Sequence, residues 1–263
     1  MPQIKNSSTR KISKTGMKKW RVIVSGAMEP EENMGIDYAL WQTTSWCESP
    51  PTLRFYQWSP SAVSLGYNQS PHNVVNTDFC KGRKIPIVKR PTGGSAIFHD
   101  IELTYSFCSN IKAYPDFVFP LSSYIALCRG IIKGLELLGI KAEVRGFSEG
   151  KEPSYTTRDC FSLSSRHDIV VYGRKLVGSA QRRNKYAFLQ HGSILIDIKR
   201  ELWDNIFVEN VDFSKIITLK ELSLKGISVG ALITNIIDGF KETFGVSFEE
   251  SGLTEEEKRK IRC

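Results

Sequence analysis

Apolar positions recur along this chain with two periods, and the two sort into blocks. Late in the sequence Val229, Leu232, Ile233, Ile236, Ile237, Phe240 and Phe244 fall at spacings of 3, 1, 3, 1, 3 and 4. That is one face of an amphipathic helix, and Gly245 stands where such a helix ends in a left-handed cap. "YIALCRGIIKGLELLG" reads the same way and closes on Gly139, while "ENMGIDYALWQ" predicts a helix with Met34, Tyr38 and Trp41 on or near one face. Thr254 and Glu257 form a capping box for a last short helix.

Between these blocks the pattern shortens to β-rich runs. "LRFYQW" and "AVSLGY" are separated by the turn signal "SPS", and "IPIVKR" is broken by "PTGGS". "AIFH" and "LTYSF" flank "DIE" and predict a hairpin; "KAEVRG" predicts a strand before the long polar loop "GFSEGKEPSYTTRD". "DIVVY" and "KLVGSAQ" predict a second hairpin through "GR", followed by the strand "FLQHGSILID". Strands and helices that fall in separate blocks argue for an α+β fold with a mixed, largely antiparallel sheet flanked by helices. A doubly wound fold alternates the two more regularly.

Composition adds limits. With 263 residues, 41% hydrophobic and 24% charged, the chain matches an ordinary globular protein. No apolar run approaches the ~18 residues of a membrane span, and no N-terminal segment has a signal peptide's apolar core, so no membrane partner and a cytoplasmic location are expected. The formal charge of +8 is unevenly placed. Residues 1 to 21 hold seven of the 36 basic residues and no acid, leaving 29 bases against all 28 acids beyond them. Residues 1–16 therefore read as a disordered basic tail ahead of a natural start at Met17, with 17–263 as a single domain that is almost neutral. A nucleic-acid-binding domain needs a basic face on its folded part, and this charge balance argues against one.

The six cysteines form no C-x-x-C pair, so neither a zinc site nor a thioredoxin-like couple is expected, and no other metal site is. Cys108 and Cys128 sit in apolar patterns and read as small buried hydrophobes. Cys160 differs, standing in the polar loop "PSYTTRDCFSLSS". A loop thiol becomes a nucleophile when a nearby cation lowers its pKa. Lys175, fifteen residues on, and the nearer His167 are both available, and spacing does not choose between them.

Other positions bear on binding. Gly93 and Gly94 in "KRPTGGSAIFHD" permit a tight turn or close backbone approach to a ligand, and Arg90 before them suits a phosphate or carboxylate. Read alone, that stretch is a turn with a solvent-facing arginine, and it lacks the pattern of a dinucleotide fingerprint. Gly178, Ser179 and Ala180 are small enough to leave backbone N–H groups free for an oxyanion. His191, like His72, His99 and His167, reads by itself as a structural histidine.

Taken together and in order, "ENMGIDYAL", "SAVSLGYNQ", "VKRPTGGSAIFHDIELTYSF" and "YGRKLVGSAQRRNKYAFLQHGSILID" resemble the biotin/lipoate protein ligase superfamily from about Met17 onward. Within it, the sequence is most similar to the octanoyl-carrier-protein:protein N-octanoyltransferases, whose Cys-Phe and Gly-(Arg/Lys)-Lys elements have the spacing found here. The resemblance implies that superfamily's catalytic-domain fold, with Cys160 as an acyl-thioester nucleophile and Lys175 as the group that lowers its pKa. It also implies substrate contacts from Arg90, Gly93, Gly94, Ser95, His99, Gly178, Ser179, Ala180 and His191. The donor is then octanoate on the phosphopantetheine of an acyl carrier protein, with no further cofactor. The acceptor is a lysine of a lipoyl-domain protein, such as glycine cleavage H protein or a 2-oxoacid dehydrogenase E2 subunit. ATP enters only under the alternative of a lipoate-protein ligase; a second alternative moves octanoyl between two lipoyl domains. Two departures stand out: Ser162, Ser164, Arg166 and His167 replace the Asp, Pro and aromatics common after Cys-Phe, and Ser95 stands where many members have Arg.

Overall fold

The computed structural model describes residues 17–46, 49–146, 167–222 and 227–261. Their strands are β1 Lys18–Met28, β2 Thr52–Trp58, β3 Ala62–Leu65, β4 Ile87–Lys89, β5 Ile97–His99, β6 Glu102–Asn110, β7 Glu143–Val144, β8 Ile169–Val171, β9 Arg174–Arg183, β10 Ala187–Leu195 and β11 Val246–Glu250. The helices are α1 Pro30–Trp46, α2 Thr77–Gly82, α3 Pro120–Leu137, α4 Arg200–Ile206, α5 Leu219–Leu222, α6 Val229–Phe244 and α7 Glu255–Ile261. Eight strands form one sheet in the order β11-β1-β2-β6-β10-β9-β8-β7, and β4-β3-β5 form a second. In the large sheet β1 pairs in parallel with β2 and β11, and every other pairing is antiparallel. The fold is thus the mixed, largely antiparallel α+β arrangement that the pattern predicts.

Alternation along β6 divides the large sheet into two unlike faces. Leu103, Tyr105 and Phe107 turn to an apolar core shared with Leu53, Phe55, Phe188 and Ile194, and covered by α3 and α6. Trp20, Phe117 and Phe244 close that core with ring-to-ring contacts, Trp20 lying 4.8 Å from Phe244 and 5.3 Å from Phe107. The two covering helices meet backbone to backbone. A Cβ on Gly239 would stand 2.5 Å from the Gly130 oxygen, and one on Gly134 would stand 2.6 Å from Ile236 Cα. Small residues at the crossing are what permit this approach.

On the opposite face Glu102, Thr104, Ser106 and Cys108 are also buried, under α1 and the small sheet. Helix α1 contributes Ile36, Leu40 and Trp41 against Ile23, Cys108 and Leu189. The small sheet packs Val63, Leu65 and Phe98 against Trp203 and Ile206 of α4. Helix α7 is fastened from β1, where the buried Arg21 pairs with Glu257. Glu257 also accepts from the Thr254 backbone at 2.7 Å and donates its own N–H to the Thr254 hydroxyl at 3.2 Å, the expected capping box. Gly139 and Gly245 take the predicted left-handed caps at φ 79° and 64°.

Four expectations need correction. The runs "AIFH" and "LTYSF" do not form a hairpin: β6 is flanked by β2 and β10, leaving no edge for β5, which joins β3 instead. The turn between β8 and β9 is Tyr172–Gly173, one residue before the expected "GR", with φ 52° and 73°. Both positive angles fit the tight two-residue hairpin that follows the strand twist. Tyr38 is 44% exposed, because the buried face of α1 runs through Met34, Asp37 and Trp41. In "KAEVRG" only Glu143–Val144 is strand. Among the described residues no helix is long and apolar enough to cross a membrane.

Candidate functional site

The polar residues of the second face are hydrogen-bonded among themselves, and this network shapes a cleft. Asp37, on α1, is one hub. Its carboxylate accepts from Arg54 at 2.9 Å, Ser106 at 2.7 Å and Tyr56 at 2.8 Å, and bonds His191 Nδ1 at 2.9 Å. Burial opposes ionisation of Asp37, but the hydrogen bonds from His191 and Ser106 and the Arg54 and His191 charges outweigh it, so its pKa lies below the ordinary value. The Asp37 carboxylate accepts a hydrogen bond from His191 Nδ1–H, leaving Nε2 to the Thr92 hydroxyl at 2.6 Å.

Thr92 accepts in turn from Arg90 Nε at 3.2 Å. Arg90 is only 7% exposed, and its remaining donors are spent on the carbonyls of Gly93 at 2.7 Å, Ser95 at 2.8 Å and Ser64 at 3.1 Å. Burial draws its pKa down to about 10. The arginine expected to meet an anion therefore pins the glycine turn from inside. Gly94 sits at φ 91°, and its carbonyl lies so close over Gly66 that no Cβ fits there.

Glu102 is the second hub. It accepts from the hydroxyls of Thr104 and Ser193, each at 2.6 Å, and lies 3.3 Å from His99 Nδ1. His99 Nε2 meets the Ser64 hydroxyl at 2.8 Å, and its ring stacks on Trp58 at 4.0 Å. Burial lowers the His99 pKa, which favours the neutral ring. Trp58 donates to Thr104 at 2.8 Å, so ring, carboxylate and hydroxyl hold one another.

The hairpin β8–β9 supplies the charged end. Its two-residue turn pairs Val170 with Lys175 and brings Lys175 Nζ within 3.0 Å of Asp168. The carboxylate is 6% exposed and the lysine side chain 37%. Burial raises the Asp168 pKa, against the pull of the Lys175 charge and hydrogen bond. The ammonium lies directly over Gly178: a Cβ there would stand 2.8 Å from Nζ. Further along β9, Ser179 reaches across Gly192 to the Tyr105 hydroxyl at 2.7 Å, and its carbonyl accepts from Tyr124 at 3.1 Å. Beyond Val177 no described strand pairs with the edge of β9 away from β10.

Several of these groups border one cleft of about 1030 Å³, its open mouth included, with Asp37, Thr92 and Glu102 behind its wall. Lys175, Asp168 and Gly178 stand at one part of it, Ser179, Ala180 and His191 along β9 and β10, and Gly94 and Ser95 at the turn. Met34, Ile97, Leu195, Trp203 and Ile216 give it an apolar side, and Arg90 and His99 touch it as well. Gly93 stands beside it, its carbonyl turned to Arg90. Cys160 lies outside the described residues, as do Phe161, Ser162, Ser164 and Arg166. His167 is 7% exposed, with its ring 6.0 Å from that of Tyr124. Cys108 and Cys128 are buried and free, as expected of small hydrophobes.

Sequence reasoning did not single out Asp168, Asp37, Thr92, Glu102 or Trp58. A signal for Asp168 existed, since a two-residue hairpin sets the start of "DIVVY" beside the end of "RKLVG", where Gly178 leaves room for the Lys175 side chain. Chemically, the cleft offers an ammonium held by a carboxylate, small residues along a strand edge and an apolar side. It suits an aliphatic chain ending in a group that becomes anionic during reaction. Among the described residues no cluster of His, Cys, Asp or Glu is placed to hold a metal ion.

Residues 29–241 match the family described as lipoyl protein ligase A/B catalytic domain. The chain is 34% identical to Octanoyltransferase LipM of Moorella thermoacetica, over 92% of this chain and 93% of that protein. It is 36% identical to Octanoyltransferase LipM of Geobacillus kaustophilus, over 91% of each. In fold it resembles a lipoate-protein ligase A bound with ATP, at TM-score 0.78 and 22% identity over 93% of both chains. It also resembles the bipartite lipoate protein ligase of Thermoplasma acidophilum, at TM-score 0.75 and 21% identity, covering 93% of this chain and 91% of that one.

Proposed function

The chain belongs to the lipoyl protein ligase A/B catalytic domain family, and on that footing we propose that it is an octanoyltransferase of lipoate biosynthesis working through a thioester on Cys160. The donor is octanoyl-acyl carrier protein, the acceptor a lysine of a lipoyl domain. Activation arrives with the donor's thioester, so neither ATP nor another cofactor is needed. The Cys160 thiolate attacks the donor carbonyl; a carbon–sulfur bond forms to Cys160 as the bond to the pantetheine sulfur breaks, and the departing thiolate takes up a proton. The acceptor's neutral ε-amine then attacks acyl-Cys160, forming the amide, releasing the Cys160 thiolate and losing its own extra proton.

The observation that supports this reading best is the placement of Lys175, whose ammonium Asp168 holds over Gly178 at the cleft wall. An ammonium there stabilises a thiolate or oxyanion brought to the cleft, and each unit of thiol pKa lowered corresponds to about 1.4 kcal/mol. The apolar side formed by Met34, Ile97, Leu195 and Trp203 suits the octanoyl tail. Gly178–Ala180, on a strand edge without a described neighbour, favour close approach of the reacting carbonyl.

Intact-mass spectrometry tests the reading. With octanoyl-carrier protein and no ATP, the wild type should gain one octanoyl group that hydroxylamine removes, and Cys160→Ala should gain none. A strict ATP requirement, or an equal adduct on Cys160→Ala, would overturn it.

A further inference from the structure

The end of the molecule where β9 turns into β10 carries bases that no described acid pairs. Several exposed bases elsewhere are paired, as in Lys19 with Glu249, Arg174 with Glu221, Lys220 with Asp197 and Lys241 with Asp238. Among the described residues, no ion pair includes Lys112, Arg182, Arg183 or Lys185. The Ile111 N–H donates to the Tyr186 carbonyl at 2.9 Å and brings Lys112 beside the hairpin tip and Lys185, while Arg182 and Arg183, just along β9, turn to opposite faces of the sheet at the same end. Asp116 is the sole acid of the 110–120 segment, and it pairs with none of them.

Arg182 and Arg183 are fixed without being neutralised. Arg183 donates to the carbonyls of Phe117 at 2.8 Å and Val118 at 3.0 Å. Arg182 donates to the Pro91 carbonyl at 2.9 Å, with its guanidinium 4.8 Å from the rings of both Trp41 and Tyr67. Helix α3 begins alongside, with no acid in its first turn to offset its dipole. Exposed aromatics, Phe119 at 68%, Trp46 at 72% and Tyr186 at 43%, stand among these charges. The surface adjoins the cleft: Ala180 lines it, and Arg182 is two residues on, about 7 Å along the strand.

We propose that this basic end face docks the acidic carrier protein that delivers the acyl thioester. The docking inference rests on the donor proposed above. Arg182 would then stand near the anionic phosphodiester at the base of the prosthetic arm while the thioester at its tip reaches Lys175. From Gly178, over which the ammonium lies, to Arg182 is four residues, roughly 13 Å along β9 and within the reach of an extended arm. A cationic rim of this kind acts mainly on encounter and recognition, and salt weakens it.

The test reverses Lys112 and Lys185 together, since neither side chain holds a buried contact. Lys112→Glu/Lys185→Glu should lose on the order of tenfold in kcat/KM for octanoyl-carrier protein at low ionic strength. The loss should shrink as salt is added. Turnover of the uncharged donor octanoyl-N-acetylcysteamine should not change, and the remote pair Lys241→Glu/Lys258→Glu, with the same net charge, should match wild type on both donors. Unchanged kinetics on the carrier, an equal loss on both donors, or a raised KM for the lipoyl-domain acceptor alone would overturn the docking proposal. If wild type used neither donor, the transferase reading itself would fail, and the docking surface with it.

Discussion

Gly178→Ala isolates the position of Lys175 from its charge. The added Cβ would stand 2.6 Å from Lys175 Cε and 2.8 Å from Nζ, where ordinary contacts begin near 3.4 Å. The ammonium must move by about 1 Å, and its 3.0 Å bond to Asp168 stretches or breaks. A misplacement of ~1 Å in a reacting constellation costs on the order of 100-fold in rate. The fold should barely respond, because the displaced atoms end a flexible side chain, and alanine adds strand propensity over glycine, roughly 0.5–1 kcal/mol. The expected outcome is a kcat for octanoyl transfer down about 100-fold, with the urea midpoint unchanged or slightly higher. Stability and activity should therefore separate in one variant. Full turnover by Gly178→Ala would refute the view that Lys175 must lie where it does, and an equal collapse of stability would make the effect structural.

Four further outcomes are expected. Lys175→Ala should slow alkylation of Cys160 by iodoacetamide near neutral pH and move its pH profile upward, while Lys175→Arg, which keeps the charge in a different shape, should recover part of the reactivity; overlapping wild-type and Ala curves would exclude the coupling. Asp37→Asn should be less stable than wild type at pH 7. Because the folded pKa of Asp37 is depressed, that difference is present above the unfolded value of about 3.9 and should close as pH falls through the folded one, read by urea unfolding at stepwise lower pH. Cys108→Ala and Cys128→Ala should keep transfer, each losing about 1 kcal/mol in denaturant titrations. Deleting residues 1–16, which carry Lys5, Arg10, Lys11 and Lys14 with no acid and no apolar pattern, should leave the rate of octanoyl transfer intact.

Legibility in the sequence followed range of interaction. Helix α6, its Gly245 cap and the Thr254–Glu257 box were readable because each is decided within a few residues. Strand β1 went unread because its partners β2 and β11 are remote in sequence and pair with it in parallel, leaving no local turn as a signal. The placing of β5 failed for a related reason: adjacency suggests a hairpin, but only the competing partners of β6 reveal that its edges are taken. Among the site residues, Lys175, Gly178–Ala180, His191 and the Gly93–Gly94 turn form contiguous motifs. Asp37, Arg54 and Glu102 do not. Alternating polar positions read as the wet face of a sheet, and nothing local shows that a second layer buries them.

That buried polar floor limits which parts of the cleft can change over evolutionary time. Asp37, Glu102, His99, His191 and Arg90 each hold partners that also hold others, so altering one strands several donors or acceptors at a cost of about 1–3 kcal/mol apiece. Met34, Ile97, Leu195 and Trp203 meet the same space with side chains that need no particular partner. Trimming Trp203 to Leu or widening Ile97 to Phe would change the room for an acyl chain while leaving every hydrogen bond of the floor intact. Drift toward longer or shorter acyl groups should therefore be recorded in those apolar positions, with the polar floor passing unchanged from one chain length to the next.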